Sequence, residues 1–259
     1  MHAIRLVGLG LLTSMSLACG GAWDTGDTGS GEQDQGDFVL GWGSSEGYEA
    51  YEEWSIDAMT YEEEYLNQLF RLPRDVPITH QTCGYENAYW DGSGIVLCYE
   101  MLELIAGLFW NSGWDLTDED FDLLTYDSWV FILYHELGHA LIDVYDLPVP
   151  GREEDAVDAF SVVVLVESGV PDTVVSAALF WLLLDDSSGG SLNFADEHSM
   201  NMQRFYNLLC WVYGSDPVTY DYLVDSFPEL EPRIEGGRCE MEYADQYDAW
   251  SELLAPWYQ

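Results

Sequence analysis

Apolar side chains recur at helical spacing between residues 48 and 72, with Tyr51, Trp54, Ile56, Met59, Tyr65 and Leu69 set in an acidic background, and predict an amphipathic helix. The short run Val76-Pro77-Ile78-Thr79 reads as a strand. Ala88-Tyr89-Trp90 and Ile95-Val96-Leu97-Cys98-Tyr99, separated by Asp91-Gly92-Ser93-Gly94, read as a hairpin around a glycine-rich turn. Beyond it the pattern turns helical. Helices are predicted over 101–110, from about Thr117, where Thr117-Asp118-Glu119-Asp120 has a capping-box pattern, and over 126–145. Further helices are predicted over 153–168, 171–184, 197–213, 218–226 and 240–254. No internal repeat is visible. The expectation is an α+β, predominantly helical fold with a small sheet near its N-terminal end.

The first 46 residues break this pattern. Residues 1–18 hold no acidic side chain, and Arg5 precedes the apolar run 6–18, which is too short to span a bilayer comfortably; this predicts a signal peptide. Ser16-Leu17-Ala18-Cys19-Gly20-Gly21 resembles the lipobox of bacterial lipoproteins, with Ser16 where that motif has Leu, which makes Cys19 the expected lipidation site. Ordinary cleavage nearby, leaving Cys19 lost or free, is the alternative. The Gly/Asp/Ser-rich stretch 19–46 cannot bury a core and reads as a flexible tether, so the folded domain is expected over 47–259. The expected location is outside the cytoplasm, as a cell-envelope lipoprotein or else secreted or periplasmic. Membrane contact would run only through the N-terminal lipid.

Charge narrows the partners. The chain carries 48 acidic and 7 basic side chains, a formal net charge of -41, and every basic residue is arginine. Phosphate recognition needs a basic footprint, so nucleic-acid binding is excluded, and adsorption to anionic headgroups is disfavoured. Aromatic content of 15% separates the chain from disordered acidic tails. Apart from Cys19 there are four cysteines, an even number in an exported chain, which favours disulfides over a four-thiolate zinc site. Pairing Cys83 with Cys98 and Cys210 with Cys239 closes two local loops.

His135-Glu136-Leu137-Gly138-His139 fits H-E-x-x-H inside a predicted helix flanked by Phe131, Ile132 and Leu133 before it and Ala140, Leu141 and Val144 after it. Residues i and i+4 share a helix face, so both imidazoles can bind one Zn²⁺, with Glu136 beside them to take a proton from water. Two histidines and a glutamate in a buried helix also need a compensating partner, which a metal supplies. Ile142 and Tyr145 stand where the metzincin extension has Gly and His, which excludes that class. Asp143 shares the face but lies ~12 Å along the axis from His135 at ~1.5 Å per residue, so the third ligand has to come from another element. The next helix opens after Pro148-Val149-Pro150-Gly151, a turn that lets the chain double back.

That helix carries Glu154 and Asp158 four residues apart, and it resembles the Glu-x-x-x-Asp helix of gluzincin peptidases. The likeness implies Glu154 as zinc ligand and Asp158 as the hydrogen-bond partner that fixes a ligand histidine's tautomer. Glu153 is the alternative ligand. The combination of 134–143 and 147–158, with Cys83-Gly84-Tyr85-Glu86-Asn87-Ala88, Leu97-Cys98-Tyr99-Glu100, Glu197-His198-Ser199 and Gln203-Arg204-Phe205-Tyr206-Asn207, resembles a family of uncharacterised bacterial metallopeptidases known as a domain of unknown function. The resemblance spans roughly 75–255. It implies a zincin-like, gluzincin-like metallopeptidase domain with one Zn²⁺ per chain but supplies no substrate; a protein or peptide is the expected one. It further implies that Glu136 is the general base and that His198 stabilises the oxyanion, helped by Arg204 or Tyr206. Asn87-Ala88-Tyr89 falls where zincins carry the edge strand that pairs with substrate, and His80 reads as structural. A monomer is expected. The rival reading is an acidic, surface-tethered binding protein with a structural or vestigial zinc site.

Overall fold

The computed structural model describes residues 35–188 and 200–259. Nearest the N-terminus lies a four-stranded sheet of order β1-β2-β4-β3, formed by β1 (Phe38–Trp42), β2 (Val76–Gln81), β3 (Ala88–Trp90) and β4 (Ile95–Cys98). β1 and β2 run parallel, as do β2 and β4; β3 is antiparallel to β4. The parallel β1–β2 pair is joined by α1 (Glu49–Leu69), as a parallel crossover requires. The hairpin turn is fixed by Asp91, whose carboxylate accepts hydrogen bonds from the backbone N–H groups of Ser93 and Gly94.

The remainder is helical: α2 (Tyr99–Trp110), α3 (Asp118–Val144), α4 (Glu153–Glu167), α5 (Asp172–Ser188), α6 (Asn201–Ser215), the short α7 (Tyr222–Ser226) and α8 (Glu231–Ile234), and α9 (Arg238–Leu254). The fold is α+β and predominantly helical. α3 runs through its centre, packed on α2, α4, α5 and the sheet, with Trp129, Phe131, Tyr134 and Leu137 fully buried.

Three expectations change. The tether cannot reach residue 46, because Phe38–Trp42 is a strand paired along its length with β2. Its glycines mask a pattern in which Phe38 is fully buried. The outer side of β1 is sealed by α1: the Asn67 amide accepts from the Phe38 N–H and donates to its carbonyl, and Glu63 accepts from the Leu40 N–H. The helix starting at Thr117 and the helix over 126–145 are one element of 27 residues, since nothing between them breaks a helix. The helix expected from 197 begins at Asn201 within the described residues. The signal segment and Cys19 lie outside the described residues.

Both expected disulfides are present, Cys83–Cys98 and Cys210–Cys239. The first closes the loop that carries β3; the second ties α6 to α9, where Gly214 allows close approach to the Cys239 backbone. They fit an oxidising, extracytoplasmic environment. No helix among the described residues is long and apolar enough to cross a membrane.

Candidate metal centre

α3 begins with a complete capping box, Asp120 N–H donating to the Thr117 hydroxyl and Thr117 N–H to the Asp120 carboxylate, and three acids occupy its first turn. It ends in a Schellman turn: Leu147 N–H donates to the Ile142 carbonyl, Asp146 N–H to that of Asp143, and Asp146 takes φ 51°. Gly151, at φ 104°, completes the reversal that returns α4 along α3. The two helices approach closely at Gly138, where a Cβ would lie 2.8 Å from the Val157 side chain. The glycine of the histidine motif therefore sets how near the acids of α4 come to the histidines of α3.

That approach brings three groups together. His135 Nε2 lies 3.2 Å from Glu154 Oε2, and His139 Nε2 lies 3.4 Å from Glu154 Oε1. The candidate ligand atoms of His135, His139 and Glu154 all fall within 4.8 Å of one another, a group able to hold a metal ion. Each Nδ1 has its own acceptor: Asp158 Oδ1 at 2.8 Å for His135 and Glu153 Oε1 at 2.7 Å for His139. With both Nδ1 atoms facing carboxylates, both Nε2 atoms turn inward, and a neutral ring held in this way keeps its proton on Nδ1, the tautomer a metal requires. Glu154 thus faces the Nε2 atoms of both rings and Glu153 the Nδ1 side of His139.

The electrostatics of the cluster favour a cation. Burial alone would depress His139, yet the Glu154 and Glu153 carboxylates outweigh it and raise it to about 9. His135 is likewise raised against its burial, by Asp158 and Glu154. Burial would raise Glu154, but the two imidazoles hold it far below the usual carboxylate range. Two nitrogens and a carboxylate that attract positive charge this strongly are a donor set suited to a divalent ion of the N/O-binding kind.

Glu136 is 7% exposed, and burial raises its carboxyl above the usual range, opposed by His135 and His139 and by a hydrogen bond from the Trp90 backbone N–H. That donor comes from β3, the sheet edge opposite β1. Asn87 and Asp91 bond to β4, so alternation turns the N–H and C=O of Ala88 and Trp90 outward. The Trp90 indole is anchored separately, donating to Asp143 at 3.0 Å.

A family model described as "Putative metallopeptidase", DUF4344, matches residues 51–254. The chain belongs to this family. No curated protein and no solved structure matches it. In this DUF4344 chain the matched span runs from α1 to α9 and takes in the whole histidine–glutamate cluster.

Other expected site residues stand elsewhere. Arg204 is not free for an oxyanion: it is 4% exposed, its Nε and Nη2 grip both oxygens of Asp158 at 2.7 and 2.5 Å, and its guanidinium lies 3.6 Å from the Trp181 ring centroid. With Asp158 so close, α6 has no reason to extend this side chain further. The Tyr206 hydroxyl bonds to Glu229 and lines a groove of about 590 Å³ with Trp211 and Arg233, whose lining includes none of the three converging residues. His198 lies outside the described residues. His80 is fully buried, bonded to the Ser55 hydroxyl at 2.9 Å and stacked on Trp42, and burial lowers it to about 3; it is a neutral structural histidine, as expected. Sequence reasoning missed Glu153 as a partner of His139, the Arg204–Asp158 grip and the Trp90 donor. Only Glu153 had a visible signal, its place next to Glu154.

Proposed function

We propose that this DUF4344 protein is an exported zinc-dependent metalloendopeptidase of gluzincin type, in which His135, His139 and Glu154 hold one Zn²⁺ and Glu136 is the general base. The observation that carries the reading is Glu136 itself. A buried carboxylate beside two inward-facing Nε2 atoms, raised by burial and aimed by a backbone N–H, is a poor structural choice and a good proton acceptor. A Zn²⁺ held by His135, His139 and Glu154 would supply Lewis acidity, acidifying water and polarising a carbonyl. Glu136 accepts the proton as water attacks the peptide carbonyl and returns it to the leaving amine as the C–N bond breaks. Asp158 and Glu153 hold the imidazoles, and the outward N–H and C=O of Ala88 with the C=O of Trp90, whose N–H serves Glu136, offer an extended peptide an edge to pair with. The oxyanion donor in this reading is His198.

The donor set of two imidazoles and one carboxylate supports zinc, and the two disulfides support export. The test is Glu136→Gln on the purified protein, with metal content and peptide hydrolysis measured together. The expected result is one zinc per chain in both proteins and a rate lower in the variant by on the order of 10²–10⁴. Unchanged turnover overturns the base assignment. A folded wild type that takes up no zinc overturns the enzyme reading in favour of a surface-tethered binding protein.

A further inference from the structure

The two histidines of the metal cluster are gripped in different ways. The Nδ1 partner of His135, Asp158, is buried and itself bound by Arg204. The Nδ1 partner of His139, Glu153, has a side chain 52% exposed. Glu153 and Glu154 are consecutive in the first turn of α4, yet they reach opposite nitrogens of one ring: Glu153 Oε1 at 2.7 Å from Nδ1 and Glu154 Oε1 at 3.4 Å from Nε2. An acid in a helix's first turn is favoured by the helix dipole alone, but the dipole does not require contact with His139. Nor does solubility, which the other exposed acids of the chain already supply.

We propose that Glu153 is a positioning residue: by accepting the Nδ1–H of His139 it fixes the ring's orientation and tautomer, leaving Nε2 bare for the metal. Unassisted, a neutral histidine carries its proton mainly on Nε2, the atom that has to be free. For His135 a buried acceptor enforces the choice; for His139 the solvent-facing Glu153 does. The inference rests on the zinc-site reading above, and its test separates the two.

The experiment measures zinc dissociation constants by competition with a chromophoric chelator, on wild type, Glu153→Ala, Glu153→Gln and Glu154→Ala, alongside the imidazole N–H proton resonances of the zinc-loaded forms. Glu153→Ala is expected to weaken zinc binding by about 10–100-fold and to lose the protected Nδ1–H resonance of His139. Glu153→Gln, whose amide oxygen still accepts, is expected to recover most of both. Zinc affinity in Glu153→Ala within twofold of wild type overturns the proposal, as does a Gln variant no better than Ala. Zinc binding undiminished in Glu154→Ala overturns the site reading instead.

Discussion

Helix α3 buries acidic groups along both halves, and the two halves answer them differently. In its N-terminal half Asp127 accepts from the hydroxyls of Thr173 and Ser176 on α5, and Tyr126, joined from just past the midpoint by Tyr134, donates to Glu62 of α1. Every one of these side-chain donors is a neutral hydroxyl, so desolvation wins: Asp127 rises to about 6 and Glu62 also rises. Against the C-terminal half, Asp158 of α4 is at least as deeply buried, yet the Arg204 guanidinium and His135 hold it below the usual range despite that burial. Burial is therefore not what separates Asp127 and Glu62 from Asp158; the charge of the donors is. Hydroxyls let an acid settle by taking up a proton. An imidazole and a guanidinium keep it ionised.

The largest effect should come from making one half resemble the other. Arg204→Met leaves Asp158 buried without its guanidinium, and breaking a buried pair on one side costs about 3–5 kcal/mol. Denaturant unfolding of the metal-free protein should show that loss, and adding Asp158→Asn to the variant should recover part of it. A loss under about 1 kcal/mol would mean that the grip contributes no more than a surface ion pair, and the contrast between the halves would fail.

Asp127 sharpens the comparison from the other side. Its folded value of about 6 lies above the unfolded one, so the folded chain holds its proton more tightly. This contribution to stability is full below the unfolded value, falls as pH rises from about 4 to 6, and is lost above that. At about 1.4 kcal/mol per unit the span amounts to about 3 kcal/mol. Asp127→Asn keeps an acceptor for Thr173 and Ser176 but cannot ionise. Relative to wild type it should therefore gain about 3 kcal/mol between pH 4 and pH 8 in paired unfolding experiments. A difference that does not change with pH would show that Asp127 is not held as an acid.

These two acids also mark how far the sequence could be read. The helix pair, the shared face of His135 and His139 and both disulfides were legible because each is local: i,i+4 spacing, a Pro-Gly reversal and short cysteine loops leave few alternatives, whereas Glu154 was reached through a resemblance. Arg204 was legible as a site residue but not in its role. Its neighbours in sequence pointed toward His198, while its partner Asp158 is brought to it by the packing of α6 on α4. β1 was missed because a strand buried on one side and sealed by Asn67 needs only Phe38 to be strongly apolar, and its setting is glycine-rich. The register that sends the Trp90 N–H to Glu136 follows from strand pairing, which no local pattern encodes.

The smallest expected effect concerns a third acid, just past the end of the same helix, where neither burial nor donors matter. Asp146 is exposed and sits at φ 51°, in the left-handed position that closes the Schellman turn. There the side chain costs stability through backbone strain rather than charge, because the left-handed region crowds any Cβ. Asp146→Gly relieves that strain but loosens the unfolded chain, and the balance should favour the variant by about 0.5–1 kcal/mol. For a domain of this size that is a rise of about 1–4 °C in Tm, readable by calorimetry, with zinc affinity unchanged because the α3–α4 approach is set at Gly138. A fall in Tm would show that the Asp146 carboxylate contributes more than its backbone costs. All three acids would then depend on their partners, and position along α3 would explain none of them.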